Sequence, residues 1–259
     1  MVALGIFIMS SSAKFLDAFA AIEKLLRKMS GADRQVAFYQ LVDAAAQQSP
    51  AVRRHKDDLK EYADLRNAII HERSDGRAIA EPHERVVFEL QRLAVALANP
   101  PRVLPLFQRK VHSVEITDRI CEVLASFFPR NFSQVPVMSH GRLVGLLTTT
   151  TVSRWLAAQA RHGLVDLTDH SVGDALKHIE HEGNWRVVAR SALLADVLDA
   201  FDVAKAAGKR LDAVLVTHSG RPTEALIGII TIHDMPKILR SLSAPGRKTR
   251  AVRGDLPRR

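Results

Sequence analysis

Apolar positions along residues 12–98 recur three and four apart, the spacing of one face of a helix. Phe15, Leu16, Phe19, Ile22, Leu25 and Leu26 form the first stripe, with Ser11 or Ser12 as its cap and Gly31 as its stop. A second helix is predicted from about Asp33 through Val36, Phe38, Tyr39 and Leu41 to Gln48, ended by Pro50. A third covers roughly Val52–Glu72. After a loop with Ser74, Asp75 and Gly76, Pro82 opens a fourth that carries Val86, Val87, Leu90, Leu93 and Leu97. Asn99-Pro100-Pro101 breaks the periodicity and marks a domain boundary.

From Arg102 the pattern changes to short apolar runs between helical stripes. Val111–Ile116 reads as a strand and Asp118–Phe128 as a helix with Ile120, Val123, Leu124 and Phe127 on one face. Two strands, Gln134–Met138 and Leu143–Leu147, flank a His140-Gly141 turn, and a helix through Trp155 and Leu156 follows Thr148–Thr151. The order then recurs. Val172–Ile179 is a connecting helix, Trp185–Ala189 a strand, Leu193–Lys205 a helix, and Asp212–Thr217 a strand. A polar loop, His218–Glu224, precedes the isoleucine-rich run Leu226–Ile230. Gly145 and Gly228, 83 residues apart, anchor a duplication of a small α/β unit, with a period too long for common solenoid repeats. Asp234 reads as a helix N-cap, with Pro236 tolerated near the helix start because its missing N–H would be unpaired there.

The stretches FSQVPVMSHGRLVGLLT (132–148) and LIGIITIHDMPKIL (226–239) resemble the central and closing segments of a CBS motif. Residues 102–243, as copies of about 102–162 and 170–243, therefore resemble a CBS pair. That resemblance implies a pocket for an adenosine-containing regulatory ligand such as AMP, ADP, ATP or S-adenosylmethionine. In it Asp234 matches the carboxylate that accepts both ribose hydroxyls, and Thr231 the hydroxyl that touches ribose or the first phosphate. The backbone around Val188, within Val187–Arg190, would read the adenine edge. Thr148 and Thr151 hold the corresponding places in the first repeat, where the Thr151 hydroxyl cannot accept two bonds as a carboxylate can. The alternative for Asp234 is a helix cap and nothing more.

The third helix ends Leu65-Arg66-Asn67-Ala68-Ile69-Ile70-His71 and is followed by GRAIAEPHERV. Within a four-helix pattern these residues resemble the HEPN family, whose ribonuclease members carry Arg, a polar residue and a later His. At about 100° per residue, Arg66 lies on the apolar stripe near Leu59, Ala63 and Ile70, while His71 is about 140° away. One helix therefore cannot aim both at one phosphate, whereas two copies in a dimer could. The resemblance then implies metal-independent RNA cleavage at a dimer interface: His71 moves a proton, Arg66 holds phosphorane charge, and Asn67 orients the imidazole. Against it stands an arginine that pairs with a buried carboxylate or crosses a subunit interface.

Three functions stay open on these residues. One is a regulatory protein whose CBS pair binds an adenosine ligand and modulates the helical domain. The second is an endoribonuclease under the same control, and the third a dimerisation scaffold with an empty pair. The expected architecture is α plus α/β: an N-terminal segment 1–11, a helical bundle 12–99, a CBS pair 102–243 and a disordered basic tail 244–259.

Composition trims this picture only slightly. Of the net charge of +9 over 259 residues, the last fifteen contribute +5 through Arg247, Lys248, Arg250, Arg253, Arg258 and Arg259 against Asp255. The charge is thus mostly a tail that solubilises or holds acidic partners, and does not mark the folded part as a nucleic-acid binder. One cysteine, Cys121, permits no intrachain disulfide, sits among Ile120, Val123 and Leu124 as a buried inert thiol, and points to the cytoplasm. No apolar run nears the roughly 20 residues a bilayer requires, so no membrane association is expected. The start MVALGIFIM lacks the basic residues and cleavage site of a signal peptide, and Met9 is an alternative initiator. His178 and His181, beside Glu180 and Glu182, lack a third placed ligand, so no metal is expected.

Overall fold

The computed structural model describes residues 9–71, 73–74, 77–78, 81–160 and 167–242. The apolar start, the Asp75-Gly76 loop tip, the His71 side chain and the basic tail lie outside these described residues. The chain divides into two compact units. One is Arg102–Pro236, and the other comprises the segments on either side of it.

The helical unit begins with α1 (Ser11–Ser30), whose cap is Ser10: its Oγ accepts from the Ala13 amide at 3.2 Å. The cap lies one residue before the serines expected, because Ser11 and Ser12 already have helical backbone. Gly31, at φ 64°, closes the helix in the left-handed conformation that costs glycine least. The second helix, α2, is Phe38–Gln48, shorter than the pattern suggested, because the Val36 amide turns back onto the Asp33 carbonyl at 3.2 Å. Pro50 does not merely stop it. It opens a one-turn helix, α3 (Pro50–Arg54), under a Ser49 cap, as a residue without an N–H can. After His55 comes α4 (Lys56–His71), so the long third helix of the sequence reading is two. The loop that follows contains a two-residue antiparallel ladder, β1 (Arg73–Ser74) with β2 (Arg77–Ala78). The bundle ends with α5 (Glu84–Ala98). The predicted stripes meet in one core, with Phe15, Leu26, Leu41 and Leu90 fully excluded from solvent and Ile22 and Leu59 at 1%.

In the α/β unit, β3 (Val114–Glu115), α6 (Ile120–Arg130), β4 (Gln134–Ser139), β5 (Arg142–Thr148) and α7 (Thr149–Gln159) form the first repeat. A short helix, α8 (Val172–Leu176), leads into β6 (Trp185–Ala189), α9 (Leu194–Ala206), β7 (Ala213–Thr217) and β8 (Gly228–Thr231). A 3-10 turn, Ile232–Asp234, then passes into α10 (Met235–Leu242), of which Lys237 onward belongs to the helical unit. Each repeat builds a three-stranded sheet, β3-β4-β5 or β6-β7-β8, with its first pair parallel and its second antiparallel. The helices α6 and α9 begin at residues 120 and 194, closer in sequence than Gly145 and Gly228. Part of the extra length lies in a longer α9 and the segment before β7, and part in the loop between β7 and β8, where the first repeat has only His140-Gly141.

The repeats lock through their leading segments. Gln108 pairs with Gly228, the Arg109 amide donates to the Ile227 carbonyl at 3.1 Å, and Arg119 pairs with Ser171. A Cβ on Gly228 would stand 2.6 Å from the Phe107 carbonyl oxygen, and one on Gly145 2.7 Å from a Leu176 methyl. Backbone cannot yield as a leucine tip can. Gly228→Ala is therefore expected to lower unfolding free energy by about 1–3 kcal/mol, the cost of overpacking a close contact. Gly145→Ala should cost less, because Leu176 can turn aside. Urea unfolding of both variants checks this order, and equal losses would contradict it.

Candidate functional site: the ends of β5 and β8

Thr231 leaves β8 in extended conformation and starts the 3-10 turn, so Asp234 falls three residues into it. A carboxylate there reaches back over the turn. Asp234 Oδ2 accepts from the Thr231 amide at 2.8 Å and from its hydroxyl at 3.2 Å. Thr231 thus holds the cap position of the 3-10 turn, with Asp234 bonding back to it, and Asp234 itself directly precedes α10. A third donor reaches the same oxygen. Arg109 Nη2 lies 3.3 Å away and also donates to the Ile229 carbonyl. The Arg109 and Asp234 side chains are 46% and 20% exposed. Arg109 carried no signal in the sequence, because only the Gln108–Gly228 pairing brings it across 125 residues to the end of β8.

The corresponding place in the first repeat is built differently. Thr148 caps α7, accepting from the Thr151 amide at 3.1 Å, and the two hydroxyls lie 3.0 Å apart. Both threonines are buried, at 5% and 2% exposure. They line a shallow depression whose wall also includes Asp212 and Arg210. The Asp212 carboxylate accepts from Asn184 Nδ2 at 2.9 Å and Arg210 Nε at 2.5 Å. A carboxylate thus stands beside Thr151, supplied by the other repeat.

Val188 is half-buried on β6, at the edge of the β6-β7-β8 sheet. Its neighbour Ala189 bridges Ser219, and the Arg190 amide faces the His218 carbonyl at 3.4 Å. Gly220, at φ 86°, sits so close that a Cβ would lie 3.1 Å from the Ala189 nitrogen. The polar loop therefore lies against the backbone expected to read an adenine.

On α4, Leu59, Ala63 and Ile69 are buried, and Arg66 and Asn67 are half-buried beside them. Arg66 Nη1 donates to Asn67 Oδ1 at 3.1 Å. The sequence reading had Asn67 orienting His71. Here its oxygen accepts from Arg66, and the His71 side chain is outside the described residues. Cys121 is half-buried rather than buried. Among the described residues no three His, Cys, Asp or Glu side chains gather to hold a metal, and no helix is long and apolar enough to cross a membrane.

Residues 105–158 match the CBS domain, so the first repeat carries that domain. No curated protein matches the chain. Solved structures with CBS domains are similar in fold at low identity. The CBS domain pair of protein MJ0100, in complex with 5-methylthioadenosine and S-adenosyl-L-methionine, is 15% identical, with 56% of this chain and 99% of that one covered and a TM-score of 0.42. CBSX2 in complex with AMP is 18% identical over 52% of this chain and 92% of that one, at a TM-score of 0.37. A hemolysin-like CBS protein of Oenococcus oeni PSU is 15% identical over 58% and 97%, at 0.39.

The loop against Val188 has a pH-dependent clasp. Glu224 accepts from the Ser219 hydroxyl and, at 2.7 Å, from its amide. These bonds, the hydroxyl first, pull its pKa down to about 2 from an ordinary value of 4.5. A depressed carboxylate stabilises the fold fully above its unfolded value, and that gain is lost as pH falls toward the folded one. Glu224→Gln should therefore melt below wild type at pH 7, with the gap closing between pH 4.5 and about 2. A gap unchanged across that window in thermal scans would contradict the clasp.

Proposed function

We propose that the Arg102–Pro236 unit is a CBS pair that binds an adenosine-containing ligand at the end of β8 and thereby regulates the helical unit. The observation that carries this reading is the partly exposed Asp234 carboxylate, fixed by Thr231 at the mouth of β8. A carboxylate so held accepts the two hydroxyls of a ribose without first losing conformational freedom. The CBS match over residues 105–158 supports the same ligand class, and the repeated strand order extends it to the second half.

Regulation has a covalent route at each end of the unit. The chain enters it after Pro101, and it returns to the helical unit at Lys237, three residues beyond Asp234. Ordering of the Thr231–Asp234 turn by a ligand is thus felt at the start of α10. In this reading the helical unit is an HEPN-like output domain, the protein acts in the cytoplasm as a homodimer, and the Arg66–Asn67 pair on α4 is where that domain would meet RNA.

Calorimetric titration with AMP, ADP, ATP and S-adenosylmethionine tests the ligand claim. Asp234→Asn should weaken the best of them by about 1.5–3 kcal/mol, the scale of charge-assisted hydrogen bonds. Thr151→Ala should matter less, since that hydroxyl is already turned toward Thr148. Absence of heat with every ligand at millimolar concentration would refute the proposal.

A further inference from the structure

We infer that Arg109 is a specificity-determining residue: it competes with the ligand's diol for Asp234, and when displaced it becomes the receptor for the ligand's phosphate. The inference rests on the reading of Asp234 as the diol acceptor. One carboxylate oxygen already takes three donors, from the Thr231 amide, the Thr231 hydroxyl and Arg109. A ribose brings two more hydroxyl donors to the same group, so the long and partly exposed contact to Arg109 is the one to yield. At 3.3 Å and with the Arg109 side chain nearly half exposed, that contact belongs to the weak class of ion pairs.

What Arg109 does next is fixed by its backbone. Its amide is tied to the Ile227 carbonyl, and the preceding residue pairs with Gly228, so the side chain stays at the end of β8 after releasing Asp234. A guanidinium that has lost a carboxylate seeks another oxyanion, and its planar fork matches a phosphate better than any neutral group. A ligand with both a cis-diol and a phosphate replaces every bond it breaks. Adenosine displaces Arg109 and offers it nothing in return. S-adenosylmethionine sets a sulfonium cation next to the ribose and carries its carboxylate only at the far end of the methionine arm. The site therefore selects nucleoside phosphates, with rejection of the neutral and cationic ligands built into the unliganded state.

Titration of the full chain with AMP and with adenosine separates this exchange from a simple attraction. In wild type AMP should bind more tightly than adenosine. Arg109→Ala should weaken AMP about tenfold, the loss of a charge-assisted pair, while tightening adenosine about threefold by freeing Asp234. Opposite signs in one variant are the signature. Arg109→Lys, which keeps the charge but not the fork, should retain part of the AMP preference. Equal weakening of both ligands in Arg109→Ala, or an AMP preference that survives it, overturns the exchange while leaving the ligand site standing. If neither ligand binds wild type or Arg109→Ala, the site itself is absent and the exchange falls with it.

Discussion

The α/β unit depends on one close approach of backbone to backbone. The Phe107 carbonyl oxygen stands only 2.6 Å from where a Cβ on residue 228 would be, so the leading segment of the first repeat lies directly on the last strand of the second. Glycine is required there by space rather than by an unusual dihedral. From this contact follow the Gln108–Gly228 pairing, the Arg109 tether and the charge beside Asp234. The counterpart in the first repeat, Gly145 against Leu176, joins the same two halves through a side chain. Each three-stranded sheet alone is a small structure with little to bury. Docking through the leading segments makes the duplication one unit.

The same docking makes the two strand ends unequal. At β8 a carboxylate and an arginine meet at a partly open turn. At β5 two threonines satisfy one another in a buried position, and the nearby Asp212 is already held by Asn184 and Arg210. The duplicated fold thus provides two topologically related but chemically different places, of which the one at β8 is the proposed ligand site.

Much of the fold was legible because each element obeys a strong local rule. Trp185–Ala189 is a strand in both readings, and α9 differs from its predicted span by a single residue at either end. The helical stripes mapped directly onto the buried core. What failed was chemistry at boundaries. Pro50 was read as a stop although proline also starts helices, and the cap that Thr231 provides for the 3-10 turn before α10 went unseen. The site was half legible. Thr231 and Asp234 are neighbours in sequence, so their spacing was visible, whereas Arg109 and Asp212 reach their places only through contacts between repeats. No local pattern encodes such contacts.

The central claim is that the end of β8, not the end of β5, receives the ligand. Hydrogen exchange read amide by amide, with and without AMP, tests it most directly. The Thr231 amide is bonded to Asp234 and the Arg109 amide to Ile227, so both report on this place. The account predicts that AMP slows exchange at Arg109 and Thr231–Asp234 well beyond any change at Thr148–Thr151. Protection confined to Thr148–Thr151, or none at either strand end, would contradict it.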